Sequence, residues 1–356
     1  MELNSTSTST TSLFSLQSLA SSISEFNVSN TALNVPATNL QQDENGDYIE
    51  LNFPPETRGT TSISKYIIIL VGLPASGKST ISKNLIDFLS NCTPKKLKCG
   101  VFNAGQFRRM DTYAKFKTMM KITDNSQDDI FNPKNAYKKD IYAKRTLTKM
   151  FESFVNDDLD IAIFDATNST IHRRQFILKE VNDFVLNYST PMMFNVKPIF
   201  LQVDCTLTLN IKFNMHNKTF NSDYFDKPYE HALLDFSRRF KFYSDQFEKL
   251  TNEEFIGNMY HFYNPKNCFY FKMVNGYVVN TITTEQINQV DISQIDPVIK
   301  LIYEFLIQYH NSEQDKSYRK QVDEFFQNSA DEKGEYYINT LNQILNEDYF
   351  KQTVFS

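Results

Sequence analysis

The sequence predicts an α/β fold in which a mostly parallel sheet carries helices on both faces. Three observations support that expectation. Apolar strand-like runs alternate with amphipathic helical stretches from Tyr66 onward; the first run, Tyr66 to Val71, breaks into Gly72-Leu73-Pro74-Ala75-Ser76-Gly77-Lys78-Ser79-Thr80; and a later run, Ile161-Ala162-Ile163-Phe164, ends in Asp165. Such alternation implies parallel strands joined by crossover helices, and open sheets of this class bind ligands at their carboxyl edge.

Residues 1–64 open with a Ser/Thr tract, Ser5 to Ser12, and stay polar through Asp43, Glu44, Gly46 and Asp47. A segment of this kind buries too little apolar surface to offset its ordering entropy, so a disordered tail is expected. Its hydroxyls are candidate targets of protein kinases, with a passive solvated tail as the competing reading. The strand from Tyr66 leads into a helix with Ile81, Leu85, Phe88 and Leu89 on one face. Lys98 to Asn103 reads as a second strand, Tyr137 to Val155 as a helix, Leu159 to Asp165 as a third strand and Ile171 to Leu186 as a helix. Val196 to Val203 is expected as a fourth strand, Tyr229 to Leu250 as helical, Cys268 to Asn275 as a fifth strand and Pro297 to Tyr309 as a helix. Residues 311–356 are polar with scattered Phe325, Phe326, Tyr337, Leu341, Ile344 and Leu345, which suggests one or two surface helices. The expected plan is a tail over 1–64, a catalytic domain over 65–310 and a helical extension over 311–356.

Of 356 residues, 41% are apolar, enough for a sizeable core. The net charge of -5 argues against nonspecific nucleic-acid binding, which needs a basic surface. Basic residues should instead gather at a site. The four cysteines, Cys92, Cys99, Cys205 and Cys268, lack metal-type spacing, so neither a disulfide framework nor a zinc site is expected. No signal-type start is present, and no apolar segment approaches the ~20 residues of a membrane helix. A cytoplasmic chain without membrane or nucleic-acid partners is the expectation.

Gly72 and Gly77 can adopt backbone angles that turn successive N–H groups inward around phosphate oxygens. Lys78 would reach the β- and γ-phosphates of a nucleotide, the Ser79 hydroxyl would hold Mg²⁺, and the following helix would direct its positive end at the anion. Asp165, at a strand end beside that loop, can enter the Mg²⁺ shell or accept the proton of an acceptor hydroxyl. Capping of the next helix is its competing role. Three arginine pairs, Arg108-Arg109, Arg173-Arg174 and Arg238-Arg239, offer two-pronged phosphate binding, against the alternative of solvated helix faces.

Gly72 to Ser79, then Phe102-Asn103-Ala104-Gly105-Gln106-Phe107-Arg108-Arg109, then Phe164-Asp165-Ala166-Thr167-Asn168 resemble, in this order, the kinase domain of 6-phosphofructo-2-kinases. The resemblance continues through Asp223-Tyr224, Asp235-Phe236, Arg238-Arg239, Tyr243 and Phe271-Lys272-Met273-Val274-Asn275, covering roughly Tyr66 to His310. It implies a P-loop NTPase fold of the nucleoside monophosphate kinase type. It also implies transfer from ATP, with Mg²⁺, to fructose 6-phosphate, and allows a homodimer. By the same resemblance Gly72 to Thr80 and Asn210 contact ATP, while Arg108, Thr167, Arg173, Arg239 and Tyr243 contact the sugar phosphate. Asp165 takes the place of the catalytic aspartate and Cys205 that of an active-site cysteine. For Cys205 a packed thiol is the preferred reading, since phosphoryl transfer needs no thiol.

Two departures bear on the site. The family's lysine shared between ATP and sugar falls at Met215, but Lys218 restores the spacing to Asp223-Tyr224 if a short insertion is allowed. A second sugar-phosphate arginine of the family falls at Tyr142, with Lys144 and Arg145 nearby as substitutes. None of His172, His216, His231, His261 and His310 lies in the Arg-His-Gly-Glu motif of the family's phosphatase domain. A kinase-only form, most similar to the short yeast isozyme, is therefore expected, without fructose-2,6-bisphosphatase activity. The competing functions are another small-acceptor kinase, acting on gluconate, adenylylsulfate or a polynucleotide, and a noncatalytic regulatory homologue.

Overall fold

β3 (Ile63–Val71) is rich in β-branched residues and apolar on both faces, the pattern of an interior strand. The computed structural model describes residues 40–42, 48–50, 63–91, 97–106, 136–188, 194–225, 227–262, 268–283, 296–328 and 331–354. β4 (Cys99–Asn103), β5 (Ile161–Asp165), β3, β6 (Phe194–Asp204) and β7 (Phe269–Val274) run parallel in that spatial order. The chain turns to one side after β3 and to the other after β5, so the end of β3 is the topological switch point.

Alternation along β3 sorts the core into two layers. Ile67, Ile69 and Val71 pack with Ala143, Leu147 and Met150 of α2 (Ala136–Val155) and with Ile177, Leu178 and Val181 of α3 (Ile171–Tyr188). Tyr66, Ile68 and Leu70 pack on the other face against Ile81, Leu85 and Leu89 of α1 (Lys78–Asn91). Full burial of one such aliphatic side chain contributes about 1.5–3 kcal/mol. The central strand is therefore held from both sides.

Two elements differ from expectation. β8 (Tyr277–Thr283) adds a sixth, antiparallel strand beside β7 through the turn Asn275-Gly276, whose φ values are +52° and +86°. Positive φ at both turn positions is what a tight hairpin requires, and Asn-Gly supplies it. The helical stretch expected from Tyr229 to Leu250 ends earlier, as α5 (Tyr229–Asp245), and a further helix, α6 (Asn252–Phe262), follows it.

A third apolar cluster lies beyond the carboxyl edge of the sheet. Ile211 and Met215 of α4 (Thr208–Lys218) meet Leu233, Phe236 and Phe240 of α5 there. After α7 (Pro297–Gln308) come α8 (Glu313–Asn328), α9 (Glu332–Ile344) and α10 (Glu347–Thr353). Leu341, Leu345 and Phe350 enter the same cluster, so the C-terminal helices pack on the domain through these residues. Residues Phe53–Ser356 form one compact unit and Met1–Asn52 another. Within the latter, β1 (Leu40–Gln42) pairs antiparallel with β2 (Tyr48–Glu50), a departure from the expected unstructured tail carried by the extended-chain preference of Tyr48 and Ile49. Among the described residues no helix is long and apolar enough to cross a membrane.

Leu345 is fully buried, so Leu345→Ala is expected to cost about 2–5 kcal/mol, read as a lower midpoint of urea unfolding. A change within about 0.5 kcal/mol would place the C-terminal helices outside the cooperative core.

Candidate active site

β3 delivers the phosphate loop to the carboxyl edge of the sheet. Gly72 has φ +147°, and a Cβ there would lie 2.3 Å from Val203 O of β6, so no larger residue passes. Gly77 has φ +95°, and Ala75 takes a left-handed φ of +61°. Lys78 folds back into the loop, donating to Gly72 O at 2.9 Å, Leu73 O at 2.5 Å and Ser76 Oγ at 3.4 Å. Burial lowers its ammonium from the ordinary 10.5 to about 8; Asp165 opposes the shift and Lys218 adds to it.

Asp165 ends β5 directly beside this loop. Its Oδ2 accepts from Ser79 Oγ at 2.9 Å and from Asn103 Nδ2 at 3.0 Å. Asn103 is the β4 residue in register with Asp165, a neighbour that strand pairing reveals and motif reading did not single out as a site residue. Thr167 O accepts from Gly72 N at 3.1 Å, and Asn168 Nδ2 donates to Leu70 O at 2.7 Å, so the turn after β5 is pinned to the loop. The Ser79 hydroxyl and the Asp165 carboxylate are hard oxygen donors that converge, the donor chemistry Mg²⁺ takes while keeping most of its water. Among the described residues no three His, Cys, Asp or Glu side chains gather to form a metal cage of their own.

A cleft of about 870 Å³ runs from the loop past Asp165 and Thr167 to a basic far end with Lys139, Arg173, Arg239 and Tyr243; Lys218 also lines it. Arg173 is held by Asp140 at 2.7 Å and by Lys139 O at 3.1 Å. Its neighbour Arg174 instead turns inward, fully buried, and forks onto Glu254 at 2.7 and 2.6 Å while donating to Asn168 O at 3.0 Å. Residues i and i+1 of a helix point about 100° apart. One arginine of the pair serves the cleft and the other the core. The third pair splits likewise: Arg238 is exposed, whereas Arg239 donates to Tyr224 OH at 2.8 Å, which in turn donates to Asp235 at 2.7 Å. Arg108 lies outside the described residues.

Met215 and Lys218 lie on different faces of α4. Met215 is fully buried in the third cluster, whereas Asn214 and Lys218, four residues apart on α4, both line the cleft. On α2, Lys144 is exposed and pairs with Glu180 at 2.9 Å, and Arg145 is exposed as well; neither lines the cleft. The cation on the cleft face of α2 is Lys139, one turn before Tyr142, with Nζ 5.2 Å from the centre of the Tyr243 ring. Burial and the nearby Arg173 pull the Lys139 ammonium below its usual range. Counting back along helical spacing from Tyr142 would have found it.

On the other side of the loop, a second pocket of about 480 Å³ is lined by Ser76, Gly77 and Thr80 together with Asn210 and Cys205. Burial raises the Cys205 thiol to about 11, so it lacks the thiolate character of a nucleophile at neutral pH.

A parallel sheet with a phosphate loop at its switch point and an acid-bearing strand alongside defines a P-loop NTPase of the nucleoside monophosphate kinase type. Residues 56–291 match the family described as 6-phosphofructo-2-kinase, and the chain belongs to that family. It is 30% identical over 251 residues to a probable 6-phosphofructo-2-kinase of Schizosaccharomyces pombe, covering 69% of this chain and 31% of that protein. Identity is 32% over 194 residues to 6-phosphofructo-2-kinase 1 of Saccharomyces cerevisiae, covering 54% of this chain and 21% of the relative. To the 6-phosphofructo-2-kinase/fructose-2,6-bisphosphatase of Caenorhabditis elegans it is 31% over 195 residues, 53% of this chain and 38% of the relative. The chain thus spans well under half the length of these relatives.

The depressed Lys78 ammonium makes a prediction with a definite sign. Between about 8 and 10.5 the folded chain binds fewer protons than the unfolded one, so stability rises with pH across that window and the burial penalty is complete below it. Stability of the unaltered chain relative to Lys78→Met should therefore increase from pH 8 to pH 10 in urea titrations, towards a full swing on the order of 3 kcal/mol. A flat difference would mean that this ammonium is not desolvated.

Proposed function

We propose that the chain transfers the γ-phosphoryl group of ATP to the 2-hydroxyl of fructose 6-phosphate, making fructose 2,6-bisphosphate, a regulator of glycolysis, in the cytoplasm. The observation that carries this reading is a single cleft lined both by the Lys78 loop and by the cations Lys139, Arg173 and Arg239. An acceptor with its own phosphate explains these cations; a simple hydroxyl acceptor does not.

In this reading the loop amides and Lys78 hold the β- and γ-phosphates, and Lys78 exchanges the carbonyls of Gly72 and Leu73 for phosphate oxygens. Bound Mg²⁺, held through Ser79 and Asp165, would supply charge neutralisation between those phosphates. Lys139, Arg173 and Arg239, with Arg108 by motif, take the 6-phosphate, and Thr167 and Tyr243 flank the sugar. The 2-hydroxyl oxygen forms its bond to the γ-phosphorus as the bond to the bridging oxygen of ADP breaks, and the displaced proton passes to the Asp165 carboxylate or to water beside it. Lys218 faces the transferring group and stabilises its charge, so catalysis is mainly positioning and electrostatics. Lys218 on the cleft face also favours this reading over a noncatalytic homologue, because it offers the site a lysine where Met215 offers none.

The test is direct assay of fructose 2,6-bisphosphate from ATP and fructose 6-phosphate. Lys78→Met and Lys218→Met should each lower kcat by roughly 10²–10³-fold. Arg239→Leu and Lys139→Ala should raise the sugar KM by about tenfold or more, the value of a charge-assisted hydrogen bond, and leave the ATP KM within about twofold. ATP binding without turnover in the unaltered chain would instead favour the regulatory homologue.

A further inference from the structure

Helix α8 lies beyond the residues 56–291 that match the family, yet it lines the site. Gln314, Ser317, Tyr318 and Gln321 face the large cleft, and Tyr318 and Arg319 face the second pocket on the far side of the phosphate loop. The Tyr318 hydroxyl donates to Asn214 Oδ1 at 3.0 Å, and Asn214 Nδ2 donates to Ala75 O at 2.8 Å. A continuous path therefore runs from α8, through α4, to Ala75 of the loop.

Each link of the path has a directional reason. An asparagine amide can present either end, but a phenol that donates to Oδ1 leaves the N–H₂ end for the Ala75 carbonyl. Burial raises the Tyr318 phenol far above neutrality, so it stays a donor. Ala75 holds φ +61°, a conformation that residues with a Cβ seldom adopt and that persists only under outside restraint. Asn214 supplies that restraint. The helix carrying Tyr318 is itself anchored: Arg319 donates to His310 O at 2.8 Å, and Asp315 lies 3.0 Å from Arg319 Nε and 3.3 Å from His310 Nδ1.

We propose that Tyr318 is a positioning residue for the nucleotide: through Asn214 it fixes the Ala75 carbonyl and so sets the phosphate-binding shape of the loop, which makes α8 part of the nucleotide site. This rests on the nucleotide reading of the loop given above.

Tyr318→Phe removes the hydroxyl and keeps the ring. In calorimetric titration of the full-length chain with ATP and Mg²⁺, Tyr318→Phe should weaken ATP binding roughly 5- to 10-fold, as expected for one lost hydrogen bond, with fructose 6-phosphate affinity within about twofold. Asn214→Ala should lose a similar factor, and the double variant little more than either alone, because the two residues act in series. Hydrogen exchange of the ligand-free chain gives a readout independent of binding: amides of residues 72–77 should exchange faster in Tyr318→Phe while those of β3 remain protected. Unchanged ATP affinity and unchanged loop exchange in Tyr318→Phe, or fully additive losses in the double variant, would overturn the proposal while leaving the nucleotide reading intact. Failure of the unaltered chain to bind ATP would remove both.

Discussion

The site depends on how closely β6 passes the end of β3. With Val203 O only 2.3 Å from where a Cβ on Gly72 would lie, the backbone must leave the strand through an angle that a side chain would block. That exit turns the loop towards β5, where Thr167 O receives the Gly72 amide and Asn168 reaches back to Leu70. Asp165 thereby comes within hydrogen-bonding distance of Ser79. Remove the close approach and the loop, the acid and the serine lose their common frame.

Charge in the cleft follows a consistent rule. In a chain with net charge -5, cations gathered at one place must be partly neutralised when no anion is bound, or their mutual repulsion would oppose folding. Lys78 uses loop carbonyls, Arg173 uses Asp140, and Arg239 uses Tyr224 with Asp223 at 3.8 Å. None of these partners matches a phosphate in charge and acceptor number. In the proposed reaction a phosphate group would replace or join them, and the guanidinium groups are held in place beforehand. Preorganisation of this kind reduces the ordering cost of binding.

Legibility in the sequence followed the physics of each element. The interior strands were readable because burial on both faces demands continuous apolar runs, and the loop because its glycines have no substitutes. β8 was harder: it lies at an edge, with Tyr277 and Val279 exposed, so its main signal was the short Asn275-Gly276 turn rather than hydrophobicity. Which arginine of a pair faces the cleft could not be read from adjacency, since Arg173 and Arg174 differ only in the direction their helix gives them. For the same reason, nearness in sequence favoured Lys144 and Arg145 over Lys139, although only Lys139 shares the cleft face of α2 with Tyr142. In the C-terminal helices Leu341 and Leu345 were visible as apolar positions in a polar segment, whereas the depth to which they and Phe350 are buried depends on the cluster they join.

The α4 segment shows what helix periodicity does to the spacing of a side chain. A helix repeats its direction every 3.6 residues, so three additional residues advance a side chain by nearly one turn and return it close to its original face. Lys218 thus occupies the cleft side of α4, while Met215, at the uninserted spacing, points into the third cluster. The same periodicity has a second consequence. Asn214, four residues before Lys218, lies on the same face, between the loop carbonyl of Ala75 and the phenol of Tyr318. One face of α4 therefore carries both the cleft lysine and the contact by which a helix outside the family match reaches the phosphate loop.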